Sequence, residues 1–328
     1  MDDVLVNVAD ANGGYLHRED LLALGLTDKA IHRSRSAGIL RRIRVGTYVL
    51  ATTFDHLTPE EQHGVLARSV IDKFPHGSAA LSHSSAAIVH GMAVYDVDLG
   101  TVHITRLDGA SGRTEAGVVH HESLLDDGDV VERDGRLMTH PARAAWEAGC
   151  STTMRGALVV LDSALHAGLV DPDHLDDVAQ RFATWKGARK AGLVARFADA
   201  GAESVGESLY RFLCFEAGLP RPQTQLAIHD HDGRLIGISD LGWREYMHLG
   251  EFDGLRKYWR DLRRGEDSSD AVVREKRRED RLRAMGFGLS RSVWSDVQPA
   301  AARQTASRLR FDLEQSRRLA TKGRRRIA

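Results

Sequence analysis

Apolar positions recur along this chain at two spacings, and the points where the spacing changes mark its elements. Residues 4–11 follow the helical period and close at Gly13-Gly14, and residues 18–24 follow it again and close at Gly25. Thr27 caps a third helix over 28–37, which Gly38 ends. Two short strands, 40–44 and 47–50, flank Gly46 as a hairpin. The short glycine-containing turn between the second and third helices predicts a helix-turn-helix unit, in which the second helix of the pair enters the major groove.

The pattern is mixed over the next 150 residues. Pro59 opens a helix through 74, and 81–91 reads as a small-residue helix with His83 and His90 seven apart on one face. A packed or polar-networked pair of histidines is the expectation there, since no third ligand stands at a telling spacing. Residues 101–105 and 117–121 alternate like strands, and the acids between 126 and 134 fit solvated turns. A helix with Thr139 as its cap and Pro141 in its first turn follows, then helices at 154–167 and 172–182. An Ala/Gly-rich lead runs from 187 to 201.

The last third opens with a helix through Leu209, Phe212, Leu213 and Phe215, stopped by Gly218 and Pro220. Strands are expected at 225–228, 234–241 and 246–252, with a turn at Asp230-His231-Asp232-Gly233. Basic helical stretches cover 256–264 and 274–283, where interspersed acids make an exposed, salt-bridged helix as good a reading as a phosphate-binding one. A strand at 288–293 completes the segment.

Composition narrows this picture only slightly. A chain of 328 residues exceeds one typical core, and 42% hydrophobic with 28% charged residues is ordinary for a soluble globular protein. No run of eighteen apolar residues occurs and the chain starts Met1-Asp2-Asp3, so a cytoplasmic protein without membrane association is expected. Cys150 and Cys214 lie in apolar helical contexts and read as buried free thiols. The net charge of -1 conceals a local excess. Lys29, Arg33, Arg35, Arg41, Arg42 and Arg44 fall within sixteen residues that hold no Asp or Glu, and with His32 they are the candidate DNA-binding set. The segment 303–326 holds nine Lys/Arg against two acids, and its end, 322–326, reads as a frayed basic arm adding sequence-blind DNA affinity.

Four acids carry the candidate chemistry: Glu207 near the start of its helix, Asp240 at the end of an apolar run, and Glu251 and Asp253 two apart on the next strand. Strand-borne carboxylates are costly in an apolar sheet unless neutralised, and Mg²⁺ bound by Asp240, Glu251 and Asp253 would do so while generating a hydroxide and stabilising charge on phosphorus. This order of acids resembles the PD-(D/E)xK restriction-endonuclease-like fold, in the branch related to very-short-patch-repair endonucleases. The runs Ile238-Ser239-Asp240-Leu241-Gly242-Trp243 and Leu249-Gly250-Glu251-Phe252-Asp253-Gly254 carry the resemblance, which covers roughly residues 203–296. It implies that Asp240 and Glu251 hold the metal, that Glu207 and Asp253 complete its shell or orient water, and that Lys257 stabilises charge at the scissile phosphate. The lysine of the signature would stand at 253, where this chain has Asp.

The opening segment resembles the winged-helix domain of AbiEi-type antitoxins of type IV toxin-antitoxin systems, through Gly14-Tyr15-Leu16, Gly25-Leu26-Thr27 and the run from Gly38 to Tyr48. That resemblance implies a self-repressing DNA-binding module, and a toxin as partner. The expected architecture is α+β and multidomain: a winged helix-turn-helix at 1–53, a mixed α/β middle domain at 54–200, an endonuclease-like α/β domain at 201–296 and a basic helix or tail at 297–328. The function expected first is Mg²⁺-dependent endonuclease action on DNA. A transcriptional regulator or antitoxin with a degenerate nuclease fold is the alternative. A third reading is an interaction protein that neutralises a toxin through the middle domain.

Overall fold

A computed structural model describes residues 2–254 and 268–327. The chain divides into two compact units, Met1–Val160 with Leu169–Leu193, and Leu161–Gly168 with Val194–Ala328.

The first unit begins with α1 (Asp2–Asn12), the two-residue strand β1 (Leu16–His17), α2 (Arg18–Ala23) and α3 (Asp28–Ser36), followed by the hairpin β2 (Leu40–Arg44) and β3 (Thr47–Leu50). The three strands pair antiparallel in the order β1-β3-β2. Helix ends follow the local sequence. The Thr27 hydroxyl accepts the Ala30 amide at 3.3 Å, and Gly25 and Gly38 end their helices with positive φ, a conformation that costs glycine little. Leu5, Ala9, Leu16, Leu21, Ile31 and Leu40 form the core of this segment.

The same unit continues with α4 (Ala51–Phe54), α5 (Pro59–Ile71), β4 (Ala79–Leu81), α6 (His83–Val89), β5 (Val102–Arg106), β6 (Arg113–Glu115), β7 (Val118–Glu122), β8 (Val130–Arg133) and β9 (Arg136–Thr139). These strands make a six-stranded sheet in the order β6-β7-β5-β4-β9-β8, parallel at β5/β7 and β4/β9 and antiparallel elsewhere. Helices α7 (Pro141–Ser151), α8 (Met154–His166), α9 (Pro172–Arg181) and α10 (Ala188–Ala195) follow, with the end of α8 from Leu161 and the end of α10 from Val194 counted in the second unit. Leu81, Val102, Ile104, Val118 and Met138 pack against Ala67, Val70 and Ile71 of α5.

The opening segment is fastened to the sheet that follows it. A Cβ on Gly14 would lie 2.8 Å from the Val65 side chain, so the backbone approaches α5 as closely as only glycine allows. Arg136 of β9 donates to the Asn12 carbonyl at 2.8 Å and to Asp72 at 2.6 Å, and Tyr15 donates its hydroxyl to the same Asp72. Arg68 donates to the Gly13 carbonyl at 3.0 Å.

Four expectations are corrected in this unit. Leu81 belongs to a strand, and α6 starts only at His83. His140, not Thr139, caps α7, its ring accepting the Ala142 amide at 3.3 Å. The Ala/Gly-rich lead from 187 contains α10. Asp129, expected in a solvated turn, is 4% exposed, because Arg143 and Arg181 reach it from α7 and α9.

The second unit contains α11 (Val205–Glu216), β10 (Gln223–His229), β11 (Leu235–Trp243), β12 (His248–Asp253), α12 (Ser268–Ala284), β13 (Gly288–Val293) and α13 (Pro299–Ile327). Its sheet order is β10-β11-β12-β13, with the first three strands antiparallel and β13 parallel to β12. Leu226, Ile228, Ile236 and Leu249 on the sheet meet Leu282 of α12. Asp162, fully buried near the end of α8, pairs with Arg211 of α11. The basic end, expected as a frayed arm from 322, continues as helix α13 to Ile327. Among the described residues, no helix is long and apolar enough to cross a membrane.

Candidate functional site

Three groups of side chains are candidates for chemistry. The first lies on the opening segment. Lys29, His32 and Arg33 are exposed on α3, and Arg41 and Arg42 are exposed on β2. His32, Arg35, Arg41 and Arg42 line one open groove of about 640 Å³ between α3 and β2, with Gly38 and Asp55 on its rim. The spacing 29, 32, 33 and 36 places Lys29 and Arg33 on the same outward side of the helix as His32 and Ser36. Among the described residues, two of the seven candidate side chains have partners inside the unit. Arg41 pairs with Asp55 at 2.8 Å, both half in solvent, where such a pair contributes little. Arg44 is partly buried and donates to the Ala116 carbonyl at 2.9 Å.

The second group is the set of acids in the second unit, which the two faces of β12 divide: the Phe252 ring turns to Gly206 on α11, and Glu251 and Asp253 project from the other face. The Phe252 amide donates to Asp240 at 2.8 Å, Glu251 and Asp253 flank Phe252 on β12, and Gly206, beside Glu207, leaves the space its ring fills. Glu207 is 3% exposed and accepts hydrogen bonds from the Glu203 amide at 3.0 Å and the Ser204 hydroxyl at 2.8 Å, so it serves the N-terminus of α11. Glu251 is 6% exposed. Its two oxygens face Arg278 of α12 at 2.6 Å and Arg291 of β13 at 3.5 Å. Burial raises its carboxyl above the ordinary range, and the two guanidiniums pull in the opposite direction. Asp253 faces Arg291 at 3.6 Å. Lys257 lies outside the described residues.

Mg²⁺ requires open oxygens in near-octahedral array. The carboxylates here face guanidiniums or hold backbone amides, and among the described residues no group of three or more His, Cys, Asp or Glu side chains could hold a metal ion. As arranged, these donors do not fit the ion.

The third group joins His83, expected as a packed or polar-networked histidine, to two others that sequence reasoning missed. His83, His103 and His121 stack in the first unit, with the His83 and His121 rings 3.7 Å apart, and His103 Nδ1 shares a hydrogen with His121 Nε2 at 2.9 Å. The β5/β7 pairing, in which Thr105 stands beside His121, was the missing signal. His83 holds φ +52, unusual outside glycine, and its amide donates to Glu147 at 3.0 Å. Glu147 in turn accepts Arg143 at 2.9 Å, and Arg143 also reaches Asp129 at 2.6 Å. Burial, reinforced by neighbouring imidazoles and at His83 also by Arg143, pushes His83 and His121 down to about 3 and His103 to about 4, from an ordinary value of 6.5.

All three imidazoles are therefore neutral in the folded chain at neutral pH. Below 6.5 the unfolded chain takes up protons that the folded chain refuses, so stability falls as pH drops from about 6.5 toward about 4. These three rings should contribute up to about three of the protons bound when urea unfolds the chain across that window, and His121→Gln should remove about one of them. A flat profile would show that these rings titrate freely.

Similarity to known proteins bears on the first group. Residues 3–51 match the AbiEi antitoxin family of transcriptional regulators. An uncharacterized protein of Mycobacterium tuberculosis strain H37Rv is 28% identical over 251 residues, spanning 76% of this chain and 86% of that protein. A second uncharacterized protein, from strain CDC 1551, matches to the same extent.

Proposed function

We propose that the chain is a DNA-binding transcriptional regulator of the AbiEi-antitoxin kind, whose opening segment is a winged helix. In this reading α3 enters the major groove, the β2/β3 hairpin is the wing on the backbone, and the groove between them takes a sugar-phosphate strand. The observation that carries it is the cationic set on α3 and β2, exposed around one groove, within the residues that match the antitoxin regulators. The antitoxin label implies a toxin as the protein partner.

The test is binding of the full chain to duplex from upstream of its own gene, against a shuffled duplex of equal length, by fluorescence anisotropy near physiological salt. A regulator should favour its own site by about 1,000-fold or more. Equal affinity for both duplexes would reduce the chain to a nonspecific DNA binder.

The order of the acids, Glu207 on α11, Asp240 on β11 and Glu251 and Asp253 on β12, supports a second reading, a nuclease-like fold at 201–296. The arginines on Glu251 favour its use as a scaffold over hydrolysis.

A further inference from the structure

We infer that two arginines of the second unit, Arg278 and Arg291, take the place that a divalent cation would hold among its carboxylates. This goes beyond the regulator reading and does not depend on it. Glu251 is buried on β12, and a lone buried carboxylate is tolerated only when paired. Its partners come from two directions. Arg278 reaches down from α12 at 2.6 Å, and Arg291 stands beside Glu251 in the parallel β12/β13 ladder, turning one nitrogen toward Glu251 at 3.5 Å and the other toward Asp253 at 3.6 Å.

The seat for Arg278 is built into the backbone. A Cβ on Gly237 would overlap the guanidinium stem, so the residue type at 237 leaves room for it, and the Ile238 carbonyl accepts from the same Nη2 at 2.7 Å. On the outer side Glu275 accepts from both arginines, at 2.9 Å and 2.8 Å, and Glu279 accepts from Arg291 at 3.3 Å. A guanidinium presents a planar fork of donors that satisfies carboxylates and carbonyls together, which a small octahedral ion does not. The acids on β12 are thus neutralised from within the chain, by side chains fixed on a helix and a strand.

The consequence is a fold that needs no ion. In the full-length wild type, Mn²⁺ titrated by calorimetry after chelator treatment should give no saturable heat, and the thermal midpoint should be the same in chelator and in millimolar Mn²⁺. Arg278→Met should lower the midpoint by roughly 5–10 °C because it strands the Glu251 charge. Mn²⁺ should recover part of that loss. Glu251→Gln combined with Arg278→Met should lie within a few degrees of wild type, since the stranded charge is gone.

Saturable Mn²⁺ binding to the wild type that disappears in Asp240→Asn would overturn the inference. Equal destabilisation of the single and double variants would also overturn it, by reducing Arg278 to packing. None of these readouts involves DNA, so their failure leaves the regulator reading untouched, and the converse holds as well.

Discussion

Full-length chain carrying Lys29→Ala, Arg33→Ala and Arg42→Ala should bind its DNA about 100-fold more weakly than wild type near physiological salt. The slope of log affinity against log salt should flatten by about 3. Both figures follow from counterion release, in which each neutralised phosphate contributes close to one unit of slope on duplex DNA. All three side chains are exposed on α3 and β2 and make no ion pair among the described residues, so their removal should leave the fold unchanged. Arg44→Ala is the internal comparison. Its guanidinium is partly buried on the Ala116 carbonyl, so the variant should lose stability and keep the wild-type salt slope. If the triple variant keeps the wild-type slope, DNA binding resides elsewhere, and the basic face of α13 would be the next place to look.

Arg143→Met should cost about 3–5 kcal/mol, the usual penalty for removing one partner of a buried ionic network. Arg143 is 1% exposed and reaches Glu147 at 2.9 Å, Asp129 at 2.6 Å and the Ser123 hydroxyl at 2.7 Å. Its guanidinium also lies over the rings of Phe182 and Trp185. Without it Glu147, fully buried, is left with the Thr139 hydroxyl and the His83 amide as hydrogen-bond donors among the described residues. For a unit of this size the expected fall in thermal midpoint is roughly 6–20 °C. Adding Glu147→Gln should restore part of it, because the amide oxygen still accepts from Thr139 and His83 while the stranded charge is removed. A single variant as stable as wild type would show that the network is not needed to hold α7 on the sheet.

What was legible in the sequence was whatever is decided locally. The opening segment reads almost residue for residue, because each of its helices ends in a glycine with positive φ and its hairpin turns at Gly46. The order of helix and strands around Asp240 and Glu251 was legible for a similar reason, with Gly218, the 230–233 turn and a clean run of apolar residues separating the elements.

What was not legible depends on residues far apart in the chain. The edge strand β6 is three exposed polar residues, Arg113, Thr114 and Glu115, and has no apolar face to announce it. Asp129 is buried because of arginines 14 and 52 residues away. The acids at 275 and 279 do form salt bridges along α12, as the interspersed charges indicate, but only the packed helix brings Arg278 over Glu251. The histidine stack likewise requires the parallel pairing of β5 with β7, which skips β6 in the chain.

The close seating of Gly14 on Val65 has a consequence for how this protein could be taken apart. The match to antitoxin regulators ends at residue 51, yet Tyr15 and Val49 share one apolar cluster with Phe54 and Val65, and Arg136 closes over Asn12 from a strand more than a hundred residues downstream. The border of the antitoxin-regulator match therefore runs through the middle of a core. A fragment cut at 53 would carry half of a hydrophobic seam into water, so the matched segment and the smallest piece able to fold are different lengths of the same chain.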